Sequence, residues 1–525
     1  MSADSPATSS SVPASADAGE RNNCHPLIHP QKGRPPMGEQ NRKDAAELFR
    51  GLDLCRPLKK PGNHNPVMTQ RFGADPWALV YRDRVYLYMT GDAPVPDDKG
   101  VIGENTYGDI NKIHVVSSAD LVNWTDHGCI AAASKSGAAK WGGNSWAPAA
   151  AWKTIDGKDK FFLYFANSGN GIAVLTADDP AGPFTDPIGR ALISRDTPTC
   201  AEVTWLFDPA VLQDEDGKAY IYFGGGIPDE AHQPDPGTAR MARLSDDMIS
   251  LDGDPVPIPH VPYLFEDSGI NRIGDKYFYS YCSNFNVTPE ATAKYGFDNG
   301  EIVTMVSDAP MGPFTLDRGV LKNPGDFFGR GGNNHHCMFH FKGGWYIAYH
   351  TRILEEAMEI TGGYRSTNID RLPIDENGAP APAKGTRSGV PQICPLDPYA
   401  EVRAVTMGNS AGIDTRAYGA SEACGYGEMI LTGIGDGSWS SVYGADFADR
   451  GAKALGMQVR GQGNGWIRVS LDAADGEVLA YVPVEAPGDQ IVTVTADLLT
   501  VPGGVHDVYF TYAGSGYEVL SWKFI

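Results

Sequence analysis

Four polar residues stand at one position of a pattern that recurs along the chain. Asp75 heads DPWALVYRDRVYLYMT, Asp208 heads DPAVLQDEDGKAYIYFG, Glu266 heads EDSGINRIGDKYFYSYC and His335 heads HHCMFHFKGGWYIAYH. Asp75 to Asp83, Asp208 to Asp216, Glu266 to Gly274 and His335 to Gly343 are each eight residues apart. A single acid at the head of an apolar run is ordinarily a strand or turn cap. Three acids at equivalent positions of a repeat are different, because charge gathered at a buried axis is costly unless it is used. Hydrolysis of a glycosidic bond suits such a set. One carboxylic acid protonates the leaving oxygen and a carboxylate acts on the opposite face of the sugar ring; a gap of ~6.5–9.5 Å leaves room for a water and gives inversion. A third carboxylate holds the acid's pKa up by like-charge repulsion and orients it.

Residues so far apart in the chain meet only if the elements carrying them are arranged about a common centre. Each head is followed by an apolar run, a polar turn and a second β-rich run, which reads as a hairpin. A further copy begins at Trp146-Ala147-Pro148 and ends in FFLYFA; it is about one residue longer and carries Ala147 where the others carry a polar group. The five heads step by 72, 61, 58 and 69 residues. A unit of that length holds about four short strands with turns, which is one propeller blade, and the first strand of each blade lines the axis. Asp83, Asp156 and Asp216 fall in the hairpin turns and read as turn formers. The expected fold is all-β, a five-bladed β-propeller followed by a β-sandwich. The expected divisions are a disordered tail over 1–50, the propeller over 51–378, a Pro-rich linker over 379–398 and the sandwich over 399–525, where short strand-like runs alternate with Gly and Asp turns.

Composition narrows the partners. The 525 residues include 43 Lys or Arg and 65 Asp or Glu, a net charge of −22. A nucleic-acid binder needs a basic footprint, so neither nucleic acid nor an anionic membrane is expected as a partner. No apolar run approaches the ~18 residues of a membrane span. The eight cysteines are scattered without a CxxC pair, so reduced thiols are expected, not a zinc site. The first residues lack a basic stretch followed by an apolar core, which makes the cytoplasm the expected location. Oligomeric state is not legible.

The ordered heads ADP, WAP, FDP, FED and NHH resemble glycoside hydrolase family 43. Phe72 to Leu79, Leu264 to Asn284 and Arg330 to His350 are most similar to the arabinoxylan arabinofuranohydrolases within it. The resemblance implies an inverting, exo-acting α-L-arabinofuranosidase that releases arabinose from arabinoxylan or its oligosaccharides. By position it makes Asp75 the general base, Glu266 the general acid and Asp208 the residue that tunes and orients Glu266. It implies no cofactor for the chemistry. It places His335 deep on the axis, where a structural calcium is reached through water. Arg365 matches an arginine near the bound pentose. Asn333 and Asn334 are candidates for bonding sugar hydroxyls, and Trp146, Trp77 and Phe285 for stacking on sugar faces, with Trp146 favoured because it flanks a head directly. The last domain resembles a family 6 carbohydrate-binding module through Gly435 to Phe447 and the chain end. Arg403, Val405 and Leu520 stand where that family binds calcium. Two other readings stay open: a β-xylosidase on the same scaffold, and a non-catalytic sugar-binding propeller.

Overall fold

The computed structural model describes residues 39–422 and 425–525. Of the stretch expected as a disordered tail, residues 1–38 lie outside this description, as do Cys24 and Cys424. Glu39–Arg50 is not a tail but a helix, α1. Its Phe49 stacks on Tyr481 of the C-terminal domain at 5.8 Å and Arg468 lies over the same ring. That apolar contact is what holds a short polar helix in place.

Five antiparallel sheets follow. Blade one is β1 (Ala74–Tyr81), β2 (Arg84–Thr90), β3 (Lys112–Ser118) and β4 (Trp124–Ala131). Blade two is β5 (Trp146–Ile155), β6 (Lys158–Ala166), β7 (Gly171–Ala177) and β8 (Ile193–Ser194). Blade three is β9 (Ala210–Gln213), β10 (Ala219–Phe223), β11 (Arg240–Leu244) and β12 (Val256–Pro257). Blade four is β13 (Leu264–Ile273), β14 (Lys276–Ser283), β15 (Ile302–Ser307) and β16 (Thr315–Leu321). Blade five has β17 (His336–Phe341), β18 (Gly344–Thr351) and β19 (Ser366–Arg371). Its outer edge is covered by the chain before blade one. Val67 N–H donates to Thr367 O at 2.9 Å, and the Asn65 amide pairs with Ile369 O (3.1 Å) and Ile369 N–H (2.9 Å). The ring is thus closed by a segment from the opposite end of the domain, which also blunts an exposed strand edge.

The repeated tyrosines explain how blades stack. Tyr88, Tyr164 and Tyr222 sit at one position of β2, β6 and β10, and all three are fully buried. Each hydroxyl donates to a backbone carbonyl of the next blade: Tyr88 to Pro180 O, Tyr164 to Met248 O and Tyr222 to Pro310 O. One residue type therefore supplies apolar area to the inter-blade core and satisfies its own polar tip there.

The C-terminal domain is a β-sheet sandwich built around the long strand Ala454–Leu471, which pairs with Glu477–Glu485, Gly488–Asp497 and Gly504–Phe524. Val459, Ile467, Val469, Leu479 and Phe510 fill its core. It is joined to blade one directly, because Thr406–Met407 pairs with β4. The stretch 379–398, expected as a linker, runs in contact with both domains. Ala383 N–H donates to Val320 O at 2.7 Å, and Gln392 Nε2 bridges Asp120 Oδ2 and Tyr443 O at 3.0 Å each. The six described cysteines are free thiols. Among the described residues no helix is long and apolar enough to cross a membrane.

Candidate active site

The heads of the inner strands share a backbone device. Asp75, Ala147, Asp208 and Asp267 have φ of 46°, 40°, 50° and 70°, the left-handed region that residues with a Cβ rarely adopt. The β1, β5 and β13 ladders shift register at these points. A bulge re-aims a side chain at the rim of a sheet, and here it turns the heads toward the axis. The structure corrects the repeat in blade four. Asp75 and Asp267 each stand seven residues before the first residue of their hairpin turn, Arg82 and Gly274. Asp267, not Glu266, is therefore the counterpart of Asp75; Glu266 reaches the pocket from the position before.

Asp75, Asp208, Glu266 and His335 line one cavity of about 540 Å3. Asp75 Oδ1 lies 2.9 Å from Arg365 Nη1, 3.0 Å from His350 Nδ1 and 3.6 Å from His335 Nδ1. Burial alone would raise its pKa, but the charges of Arg365 and His335, with the hydrogen bond of His350, hold it well below the usual carboxylate range. Arg365 is itself fixed as a fork on Asp92, at 2.9 and 2.8 Å. Glu266 has the opposite environment. Burial first, then the charge of Asp208, pushes its pKa well above the ordinary value. Its Oε1 is buried and makes no hydrogen bond among the described residues. Asp208 is raised to about 7 by burial and by Asp75, with His335 pulling the other way. Two carboxyl groups of one pocket thus have pKa values driven apart, the pattern that divides base from acid.

Behind His335, which lines the cavity, the neighbouring groups are fully buried. Asp267 sits between two imidazoles, Oδ1 3.0 Å from His335 Nε2 and Oδ2 2.5 Å from His336 Nδ1. Strand alternation predicts that His336 turns away from His335. β17 begins only at His336, so both rings reach the same carboxylate.

The pattern of Glycosyl hydrolases family 43 matches residues 63–380. The chain belongs to that family. The Carbohydrate binding module (family 6) pattern matches residues 403–525. An arabinoxylan arabinofuranohydrolase of Paenibacillus polymyxa is 46% identical over 485 residues, 89% of this chain and 75% of that protein. One of Bacillus subtilis is 44% identical, over 87% of this chain and 91% of that protein. The crystal structure of a glycoside hydrolase family 43 arabinoxylan arabinofuranohydrolase from Bacillus subtilis, in complex with cellotetraose, superposes with a TM-score of 0.84 at 42% identity, over 89% of this chain and 99% of that one.

For this family 43 chain the expected contact residues divide. Trp146, Asn333 and Arg365 line the cavity. Trp146 is braced by its indole N–H on Tyr107 O at 3.0 Å. Three others stand elsewhere. Trp77 comes two residues after the bulge and faces a second cavity at the far end of the inner strands, its Nε1 bonded to Ala150 O at 2.9 Å. Asn334 is fully buried and its amide donates to Gly300 O at 3.0 Å, a structural bond. Phe285 lies outside the lining, edge-on to Phe265 at 5.3 Å. The cavity also holds residues the repeat did not single out: Tyr107, Trp205, Phe207, Phe265 and Arg352. A signal for two of them was present. Phe207 and Phe265 each precede a head, as Trp146 precedes Ala147. Tyr107 and Arg352 come from loops outside the repeat.

Among the described residues no group of three or more His, Cys, Asp or Glu is arranged to hold a metal ion. His335 faces carboxylates from both ring nitrogens, Asp267 at 3.0 Å and Asp75 at 3.6 Å. Burial opposes its charge, but Asp267 and Asp75 raise its pKa to about 10. In the C-terminal domain Val405 and Leu520 are buried and apolar, which does not suit a cation.

Proposed function

We propose that this chain is an exo-acting, inverting α-L-arabinofuranosidase that removes arabinose from arabinoxylan or arabinoxylo-oligosaccharides. The observation that carries the reading is the opposed pair in one pocket: Asp75 kept ionised, Glu266 kept protonated. Behind His335, which lines that pocket, Asp267 and His336 are fully buried, which suits a terminal sugar better than the middle of a chain. The names of the similar proteins supply the substrate class.

In this mechanism Asp75 takes a proton from the water that attacks the anomeric carbon, while Glu266 gives its proton to the leaving glycosidic oxygen. Arg365 and His350 hold Asp75 in line and keep it ionised. Asp208 keeps Glu266 protonated until the bond breaks. After turnover Glu266 is a buried anion beside Asp208, so it regains a proton readily. The chemistry needs no cofactor. Arg365, Asn333 and Trp146 are assigned to binding the pentose.

The test is product analysis by NMR on arabinoxylo-oligosaccharides of defined substitution. The expected result is arabinose released first as the β-anomer, inverted from the α-linked substrate. Xylose as the product would move the assignment to a β-xylosidase. Sugar binding without turnover would make the propeller a binding module.

A further inference from the structure

Every other cation in the pocket is engaged. Arg365 is bonded to Asp92 and Asp75, and His335 faces Asp75, Asp208 and Asp267. Arg352 is the exception. It lines the cavity, and its guanidinium has no hydrogen-bond or ion-pair partner among the described residues. It is also held in place. It follows β18 by one residue and stands two residues after His350, which bonds Asp75. Its planar head lies in a slot between two glycines. A Cβ built on Gly332 would stand 2.8 Å from Arg352 Nη2, and one on Gly363 would stand 3.3 Å away. All three nearest atoms at Gly332 belong to the Arg352 side chain, so the missing Cβ of Gly332 leaves room for that guanidinium.

A half-buried fork of five donors with no partner in the protein is set up for oxygen atoms of a ligand. Depth says which ligand. Asp75, Asp208, Glu266 and Arg365 are all buried, whereas Arg352 is half-buried at the rim. In an exo-acting enzyme the terminal sugar fills the deep end, and the rim meets the sugar to which it was attached. Resting on the arabinofuranosidase reading, we propose that Arg352 is a positioning residue that binds hydroxyl oxygens of the main-chain xylose bearing the arabinose. It then sets preference for the polymer-derived substrate over a simple arabinoside.

The experiment compares kcat and KM on a defined arabinoxylo-oligosaccharide and on p-nitrophenyl arabinofuranoside, for the parent enzyme and for Arg352→Ala, Arg352→Lys and Gly332→Ala. The expected result is that Arg352→Ala lowers the oligosaccharide-to-arabinoside ratio of kcat/KM by about tenfold, mainly through KM. Arg352→Lys recovers part of it, because one ammonium replaces a fork. Gly332→Ala lowers the same ratio with the arginine still present, which separates displacement of the head from misfolding. An unchanged ratio, or equal losses on both substrates, would overturn the proposal. So would a loss confined to oligosaccharides that carry a uronic acid, since the contact would then be to a carboxylate. A parent enzyme inactive on both arabinosides would instead refute the functional reading on which this rests.

Discussion

The backbone N–H of Asp267 donates to Asp208 Oδ2 at 2.9 Å. Asp208 is thereby tied to the peptide that follows Glu266, not to the Glu266 side chain. It can act on that acid through its charge without competing for its proton. The two carboxyls titrate as a pair, and both are shifted upward.

Removing the charge should therefore change pH dependence as well as rate. Asp208→Asn takes away the repulsion that keeps Glu266 protonated, so the basic limb of the kcat/KM profile should move to lower pH. A carboxyl whose folded pKa is raised has its stability fully present below the unfolded value of about 4, and loses it as pH rises toward the folded value. For Asp208 that window runs up to about 7. The variant should thus gain stability at pH 8, by about 2–4 °C in Tm, and less at pH 5. Calorimetry at the two pH values checks this; an equal change at both would show that the charge is not responsible.

Glu266→Gln should distinguish acid catalysis from a binding role by its dependence on leaving group. A good general acid contributes ~10²–10⁴ in rate. The full loss is expected in kcat on an arabinoxylo-oligosaccharide, whose alkoxide must be protonated. p-Nitrophenolate leaves without a proton, so the loss on that arabinoside should be about tenfold or more smaller. Equal losses would point to a structural defect.

How far the chain discloses this site depends on what kind of signal each residue leaves. The propeller was legible because five hairpins repeat their turns and tyrosines; that Asn65–Val67 supplies one missing edge was not, because the contact joins opposite ends of the domain. Asp75 and Asp208 were legible as heads of that repeat. Glu266 was found through a spacing one residue out of register, because a bulge shifts the ladder and sequence spacing does not register a bulge. Asp267, its neighbour, is the counterpart of Asp75 and was hidden for the same reason. Trp77 looked like a stacking residue but points down the strand to the opposite end. Tyr107 and Arg352 come from loops, where no period exists to carry a prediction. The helix Glu39–Arg50 was hidden by its polar composition; its anchor is Tyr481, far away in the chain.

Arg365→Lys tests what keeps Asp75 ionised. The guanidinium spans Asp92 and Asp75 at once, and an ammonium cannot reproduce that fork. The pKa of Asp75 should rise, so the acidic limb of the kcat/KM profile should move to higher pH. A depressed carboxyl contributes stability above its unfolded pKa and loses it as pH falls. The variant should lose less of its stability than the parent on acidification from pH 5 to 3, from a lower starting value. An acidic limb unchanged in position would show that His335 and His350 suffice.

The last prediction concerns how the two domains are joined. Asp126 of β4 is completely buried and pairs with Arg71, and both bond Thr415 of the C-terminal domain. Burial opposes ionisation of Asp126, but Arg71 and the Thr415 hydroxyl bring its pKa to about 2. Its stabilisation is present above about pH 4 and should vanish as pH falls from there toward 2. Breaking such a pair leaves a buried charge without a partner, at a cost of ~3–5 kcal/mol. Asp126→Ala should therefore convert one thermal transition at pH 7 into two, as propeller and sandwich separate, while turnover of p-nitrophenyl arabinofuranoside at 25 °C persists. The parent protein should show the same split only on acidification below pH 4. A single transition in the variant would mean that the strand pairing of Thr406–Met407 with β4 is enough to couple the domains without the ion pair.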